Sequence, residues 1–116
     1  MTNFTARRTM MVDTQVRPSD VTKFPIIDAM LSVPREVYVP ATMQEAAYIG
    51  ENLDIAAGRV VLEPRTFGKM LDALMIDVDD VVLDIACGLG YSTAVLAQMC
   101  DFVVAVEDDD ARAAQA

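Results

Sequence analysis

Acids and glycines near the carboxyl end of the chain have the spacing of a nucleotide-cofactor site. Asp84, Ala86, Gly88 and Gly90 follow at alternate positions, and Glu107 lies seventeen residues after Gly90. Glycine lets the backbone approach a ligand closely. An acid at the end of the next strand can accept both hydroxyls of a ribose. The pattern therefore predicts a site for a ribose-containing cofactor.

Two cofactors are compatible with these residues. In the dinucleotide fingerprint a third glycine would fall at position 93, where the chain has Thr93. The alternative spacing, acid-x-small-x-Gly-x-Gly, is complete here and is the pattern of class I methyltransferases that bind S-adenosylmethionine. That cofactor carries an amino group and a sulfonium but no phosphates, so an acidic site suits it better than it suits a pyrophosphate. The spacing favours S-adenosylmethionine and leaves NAD as the alternative.

The elements that must position these residues are a strand, a helix and a second strand. Residues 81–86 and 102–107 are largely apolar runs, and a helix pattern lies between them. A run without polar alternation predicts a parallel strand covered on both faces. Asp84 interrupts the first run, so its carboxylate needs partners, and we expect the amides of the glycine loop to supply them. The predicted fold class is α/β.

The residues before this unit are mostly helical in pattern, with one further possible hairpin. The expected elements are a helix over 5–16, a break at 17–20, a helix opened by Pro25 and ending near Val33-Pro34, an extended piece at 37–39, a short helix over 42–48, short strands at 53–55 and 60–62, and a helix opened by Pro64. The apolar stripe of the last helix contains Phe67, Met70, Leu71, Leu74 and Met75. Its spacing predicts core packing.

Charge is distributed unevenly along the chain. The net charge is −9, and residues 70–116 contain ten acids against one basic residue, Arg112. Such a surface would repel phosphate backbones, so no nucleic-acid partner is expected. Asp108, Asp109 and Asp110 suit a solvated helix start, or they disfavour a 2′-phosphorylated ribose. No run of 18 apolar residues occurs and no secretory signal is recognisable, so neither a membrane span nor secretion is expected.

The rare residue types exclude several chemistries. The chain has no histidine, which excludes Ser-His or Cys-His nucleophile systems within it. Two cysteines, Cys87 and Cys100, are too few for a zinc site or a disulfide framework. We expect no metal, buried thiols and a reducing, cytoplasmic location.

A family resemblance extends over nearly the whole chain. It is carried by Arg8, Met11-Val12, Gln15-Val16, Ala29-Met30, Val33-Pro34-Arg35-Glu36, Tyr38-Val39-Pro40, Ala47-Tyr48, residues 84–91 and 93–97, and Val106-Glu107. The chain resembles protein-L-isoaspartate O-methyltransferases, and it covers about the first half of that family's domain. The resemblance implies an incomplete Rossmann-like class I methyltransferase fold with an N-terminal helical segment. Residues 1–63 would form the helical, substrate-side segment, and residues 64–116 the first part of the cofactor domain.

The resemblance also implies an activity and site residues. The family repairs damaged proteins by S-adenosylmethionine-dependent methylation of an isoaspartyl carboxylate, so the expected partner is an isoaspartyl-containing protein or peptide. The methionine end of the cofactor would lie against residues 84–90, including Asp84, Ala86, Cys87, Gly88 and Gly90. Glu107 would hold the ribose hydroxyls, and Asp108 would lie near the adenine.

No catalytic residue is assigned, because the substrate segment departs from the family. The usual Gly-Gln-Thr-Ile-Ser-Gln-Pro is replaced here by residues 58–64, and Leu62 stands at the position of the family's substrate-contacting serine. Leucine can make no hydrogen bond there, and Glu63 adds a negative charge beside it. The alternatives are an S-adenosylmethionine-binding relative without isoaspartyl activity and a non-catalytic dimerising fragment.

Only two strands of a parallel sheet are recognisable. A doubly wound sheet needs more, and an open apolar strand edge recruits another chain. We therefore expect either part of a longer gene product or a homo-oligomer that hides the edge.

Overall fold

The computed structural model describes residues 3–115. Its α-helices in that range are α1 Phe4–Met11, α2 Phe24–Ser32, α3 Pro64–Leu74, α4 Tyr91–Met99 and α5 Asp110–Gln115. A π-helical turn occupies Val12–Val16, and 3₁₀ segments occupy Arg17–Ser19, Arg35–Tyr38 and Ala41–Ala46. The strands are β1 Leu53–Ala56, β2 Arg59–Val61, β3 Val81–Ile85 and β4 Phe102–Val106. None of these helices has the length and apolarity needed to cross a membrane.

The helix predicted over residues 5–16 is confirmed. It consists of α1 followed directly by the π-helical turn at Val12–Val16. Asn3 caps α1 by accepting a hydrogen bond from the Ala6 amide at 3.0 Å. The chain then continues through the π-helical and 3₁₀ turns and stops at Asp20, whose φ is +65°. The predicted break therefore consists of a tightened helical turn followed by one left-handed residue.

The prediction of an extended piece at residues 37–39 is wrong for its first two residues. Arg35–Tyr38 is a 3₁₀ turn and only Val39 is extended. The β-branched residues favour a strand, but the Arg35 side chain is fully buried and donates to the Ala47 carbonyl at 2.5 Å. Tertiary anchoring thus overrides local preference. The predicted helix over residues 42–48 is a 3₁₀ segment, Ala41–Ala46.

The hydrophobic core lies where the helices meet. Its buried members come mainly from α1, the π-helical turn, α2, α3 and α4, and include Met11, Val16, Met30, Leu71 and Val95. The predicted core stripe of α3 is only partly correct, since Phe67 and Leu71 are buried whereas Met70, Leu74 and Met75 are exposed. Within residues 3–115 no layer covers that second side of the helix.

Two separate sheets frame the candidate site. β1 and β2 form an antiparallel hairpin that pairs Leu53 with Val61 and has an irregularity between Asp54 and Ala56. β3 and β4 are parallel, with their pairing running from Val81 opposite Phe102 to Ile85 opposite Val106. The strand–helix–strand order predicted from the sequence is confirmed.

Burial alternates along β3, whereas in β4 Val103 is partly buried and the other four residues are exposed. Val82 and Val103 pack against the core, whereas Val81, Leu83 and Ile85 are exposed. The prediction that β3 is covered on both faces is therefore wrong within residues 3–115. The reason is that the helices of this chain cover one face of the sheet, so the apolar residues of the other face remain in contact with solvent.

Candidate cofactor-binding site

The loop from β3 to α4 turns through left-handed backbone conformations. Ala86, Gly88 and Gly90 have φ values of +60°, +61° and +99°. Glycine adopts such conformations readily, whereas alanine does so only under strain. A Cβ atom at Gly88 would meet Cδ1 of Ile55 at 3.4 Å. The loop is thereby held close beneath the β1–β2 hairpin.

Asp84 finds its partners in α4 and not in the glycine loop. Its Oδ2 accepts hydrogen bonds from the Ser92 hydroxyl at 2.7 Å and the Thr93 hydroxyl at 2.8 Å. The expectation that loop amides satisfy this carboxylate is therefore wrong. Both hydroxyls lie in the first turn of α4, which directly follows the loop. That position places them within hydrogen-bond distance of the Asp84 carboxylate near the end of β3. Thr93, noted from the sequence only as a missing glycine, has this structural role.

The loop amide of Gly88 binds Glu107 instead. It donates to Oε1 at 2.9 Å, and the amide of Asp109 donates to Oε2 at 3.0 Å. Arg59 forms a bidentate interaction with the same carboxylate. Its Nη1 donates to Oε2 at 3.0 Å, and its Nη2 donates to Oε1. The Glu107 side chain is only 1% exposed. The Arg59 guanidinium, followed by the Asp109 amide, holds the pKa of Glu107 well below its usual range.

Arg59 is the residue of this region that sequence reasoning missed. It lies on β2, donates to the Ala86 carbonyl at 3.3 Å and lies 3.5 Å from Oδ1 of Asp108. Hydrogen bonding to Glu107 raises the pKa of Arg59. A signal did exist, because Arg59 is the only cation between Arg35 and Arg65. Its partner, however, lies 48 positions away.

Two cavities flank the loop. One of about 290 Å³ is lined by Asp84, Ala86, Cys87 and Gly88 together with apolar side chains of β2, α3 and α4. The other, of about 410 Å³, is lined by Cys87, Gly90, Glu107 and neighbours on α4. The predicted residues thus lie around one loop but line different cavities. Asp84, Ala86 and Gly88 line the first, Gly90 and Glu107 line the second, and Cys87 lines both. Asp108 lines neither cavity, and its side chain is 92% exposed.

Part of the segment at residues 58–64 forms a wall of the first cavity. Leu62 lines it, and its carbonyl accepts a hydrogen bond from Nη2 of the buried Arg35 at 2.8 Å. Thr66, the nearest hydroxyl in sequence, donates to Glu63 at 2.8 Å and is exposed. The position that bears a serine in the resembling family is therefore apolar and held in place through its backbone.

The thiols and the possible metal ligands are further candidate functional groups among the described residues. Cys87 and Cys100 are both buried and free. Across residues 3–115, no group of three or more acids and cysteines is arranged to hold a metal ion.

Comparison with known proteins points to one family. The model of the protein-L-isoaspartate(D-aspartate) O-methyltransferase family matches residues 6–114. A Methylorubrum extorquens protein-L-isoaspartate O-methyltransferase is 38% identical over 100 residues, covering 86% of this chain and 44% of the relative. The Petrotoga mobilis enzyme of the same name is 32% identical over 114 residues, covering 98% of this chain and 54% of the relative. The chain spans about half the length of the curated relatives it matches.

Solved structures show the same fold. A Plasmodium falciparum protein described as a protein-L-isoaspartate O-methyltransferase, in complex with S-adenosyl-L-homocysteine, has a TM-score of 0.74 at 18% identity and matches 99% of this chain and 53% of its own. A second protein-L-isoaspartate O-methyltransferase has a TM-score of 0.77 at 21% identity, matching 93% of this chain and 36% of its own. The predicted partial Rossmann-like architecture is confirmed. On the extent of the family match and the identity of its relatives, the chain belongs to the protein-L-isoaspartate(D-aspartate) O-methyltransferase family.

Proposed function

We propose that this chain carries the first half of an S-adenosylmethionine-dependent protein-L-isoaspartate O-methyltransferase, which methylates the carboxylate of isoaspartyl residues in damaged proteins. The observation that carries the proposal is the joining of the glycine loop to the acid that ends β4, through the Gly88 amide and the Glu107 carboxylate at 2.9 Å. Family membership supports the same activity. Because the relatives are about twice as long, the activity of the whole enzyme is a proposal for this chain.

The residues around the loop fit an adenosyl cofactor. Gly88 and Gly90 provide backbone that a ligand can approach, since neither has a Cβ atom. Glu107 supplies two carboxylate oxygens for ribose hydroxyls. Asp84, Ala86 and Cys87 would lie along the methionine end, and the exposed Asp108 near the adenine. The bound cofactor would supply the methyl group.

The contribution of the protein to this reaction is chiefly positioning. A substrate carboxylate is already a nucleophile at neutral pH, so no general base is required of the chain. Holding the reacting groups in the correct geometry can supply most of the rate enhancement. The apolar wall formed by Leu62, Phe67 and Tyr91 in the first cavity would exclude water from that geometry.

Leu62 supports a second candidate, a relative that binds S-adenosylmethionine without acting on isoaspartyl peptides. Its side chain faces the first cavity and offers no hydrogen bond. Loss of one polar contact to a substrate costs about 1–3 kcal/mol. Such a protein would bind the cofactor and methylate a different carboxylate or none.

Two measurements separate these candidates. S-adenosylhomocysteine at about 100 times its dissociation constant should stabilise the folded chain by about 2.7 kcal/mol, and methyl transfer to an isoaspartyl peptide should exceed transfer to the matched aspartyl peptide. Cofactor binding without transfer would favour the second candidate. Leu62→Ser, which restores a hydroxyl, should then raise transfer, whereas Val37→Ser, at an exposed residue that lines neither cavity, should not. A folded chain that does not bind the cofactor would contradict both candidates.

We further infer self-association through the uncovered side of the β3–β4 sheet. Val81, Leu83, Ile85 and Phe102 form a continuous exposed apolar face there, and exposed strand edges recruit other chains. Light scattering during size exclusion should show an oligomer that Leu83→Lys dissociates. A chain that remains monomeric at every protein concentration tested would contradict self-association. If the folded oligomer binds no cofactor, the chain is a non-catalytic dimerising fragment.

We infer a cytoplasmic location from the thiols. Cys87 and Cys100 are buried and unpaired, a state that a reducing compartment maintains. Cell fractionation with an antibody to the chain tests this location.

A further inference from the structure

We propose that Arg59 is a built-in competitor for the sugar site, so that a ribose-bearing ligand binds only after Arg59 releases Glu107. The inference rests on the proposed adenosyl-binding function and adds a residue that sets its affinity. The paired groups belong to two units of the fold, since Arg59 lies on the β1–β2 hairpin and Glu107 directly follows β4.

The hydrogen-bond capacity of Glu107 is already filled. Oε1 accepts from the Gly88 amide and from Nη2 of Arg59, and Oε2 accepts from the Asp109 amide and from Nη1 of Arg59. A carboxylate offers about four lone-pair sites, and four donors occupy them here, while Nε of Arg112 lies 3.6 Å from Oε2 as an ion pair without a hydrogen bond. A ribose diol needs both oxygens. It can therefore enter only if a donor leaves.

Arg59 is the donor that can leave. The amides of Gly88 and Asp109 belong to the main chain of the loop and of the turn after β4, so their removal would unfold the site. The Arg59 guanidinium is on a flexible side chain that is 23% exposed. Its second acidic partner, Asp108, is almost fully exposed. The guanidinium can therefore swing outward and remain beside a carboxylate.

The same arm covers the loop. Arg59 also donates to the carbonyl of Ala86 at 3.3 Å, and a Cβ atom at Gly88 would lie 3.4 Å from Cδ1 of Ile55 in the hairpin. Release of Arg59 thus breaks its hydrogen bonds to Ala86 and Glu107, which link the tip of the hairpin to the loop. Binding of the ribose is therefore coupled to the breaking of these hydrogen bonds.

The test compares adenosine binding by the wild-type chain and by Arg59→Gln, using calorimetry. Adenosine is uncharged and contains the ribose diol. If the released form is about a tenth of the population, the apparent affinity of the wild type is reduced about tenfold, so Arg59→Gln should bind about tenfold more tightly. Arg65→Gln makes the same charge change at an exposed position on α3 and should bind as the wild type does. For 2′,3′-dideoxyadenosine, which lacks the diol, Arg59→Gln should give no gain.

Each other outcome overturns the proposal in a distinguishable way. Equal adenosine affinity of Arg59→Gln and the wild type, or weaker binding by the variant, overturns the competition but leaves the cofactor proposal standing. No binding of adenosine or S-adenosylhomocysteine by either folded protein overturns both.

A salt titration of the wild type needs no variant. Salt screens the partly exposed ion pair, so adenosine should bind more tightly as sodium chloride rises from about 0.05 to about 0.5 M. An affinity that stays constant or falls with salt would overturn the proposal even if Arg59→Gln does not fold.

Discussion

The helical half of the chain and the β3–α4–β4 unit bury their apolar residues to very different extents. Met30 on α2 is 0% exposed, whereas Leu83 on β3 is 59% exposed. A helix needs cover along one stripe, and neighbouring helices supply it within this chain. A parallel sheet needs cover on two faces, and the helices here supply one. The helical half thus covers most of its own apolar residues, while one face of the β3–β4 sheet remains exposed within residues 3–115.

Polar groups follow the same division. In the helical half, Glu36 accepts hydrogen bonds from the Tyr48 hydroxyl at 2.5 Å and from Nη2 of Arg8 at 3.2 Å. Burial alone would raise the pKa of Glu36, but these hydrogen bonds outweigh it and hold that pKa below its usual value. This network closes within the helical half. The carboxylate of Glu107 instead takes its hydrogen-bonded charged partner, Arg59, from the hairpin, and lies 3.6 Å from Nε of Arg112 on α5.

Substitutions in the helical core and on the exposed sheet face should differ most in their effect on the free energy of unfolding. Met30→Ala is expected to reduce the free energy of unfolding by about 2–5 kcal/mol, because it leaves a cavity in a closed core. Leu83→Ala, the matched control on the open face, should change it by about 0.5 kcal/mol or less. Urea denaturation of both variants at low protein concentration measures the difference. Similar losses for the two would show that the open face is covered in solution.

The buried and exposed arginines give the next contrast. Arg35→Gln is expected to cost about 1–3 kcal/mol, because the carbonyls of Ala47 and Leu62 lose their buried donor. Arg17→Gln removes an exposed pair with Asp13 and should cost about 0.5 kcal/mol or less. Thermal unfolding of the two variants checks the ranking. An equal effect would contradict the structural role assigned to Arg35.

A pH dependence confined to alkaline conditions also belongs to the helical half. Burial, followed by the hydrogen bond to Glu36, raises the pKa of Tyr48 to about 12. The neutral phenol is thus favoured in the folded state, so its contribution to stability is present below pH ~10 and lost as the pH rises through ~12. One proton changes the unfolding free energy by at most about 1.4 kcal/mol per pH unit. Denaturation of Tyr48→Phe across this range should show a shallower slope than the wild type, and an unchanged slope would contradict it.

Local patterns were sufficient for the elements around the site. Apolar runs, prolines and glycines specified β3, α4, β4 and the start of α3, and these predictions are confirmed. Patterns failed where burial came from a distant partner. The turn at Arg35–Tyr38 was expected to be partly extended because its β-branched residues carry a strand preference, whereas the buried Arg35 side chain decides its shape.

The loop acids and glycines, and the family they indicate, could be identified from the sequence alone, because those signals lie within short stretches of chain. Which of these groups meet depends on the tertiary fold. Asp84 binds the hydroxyls of Ser92 and Thr93 in place of loop amides, and Glu107 binds an arginine 48 positions away. The physical reason is that such pairings depend on how the hairpin and α4 pack against the glycine loop, and no local pattern specifies that packing.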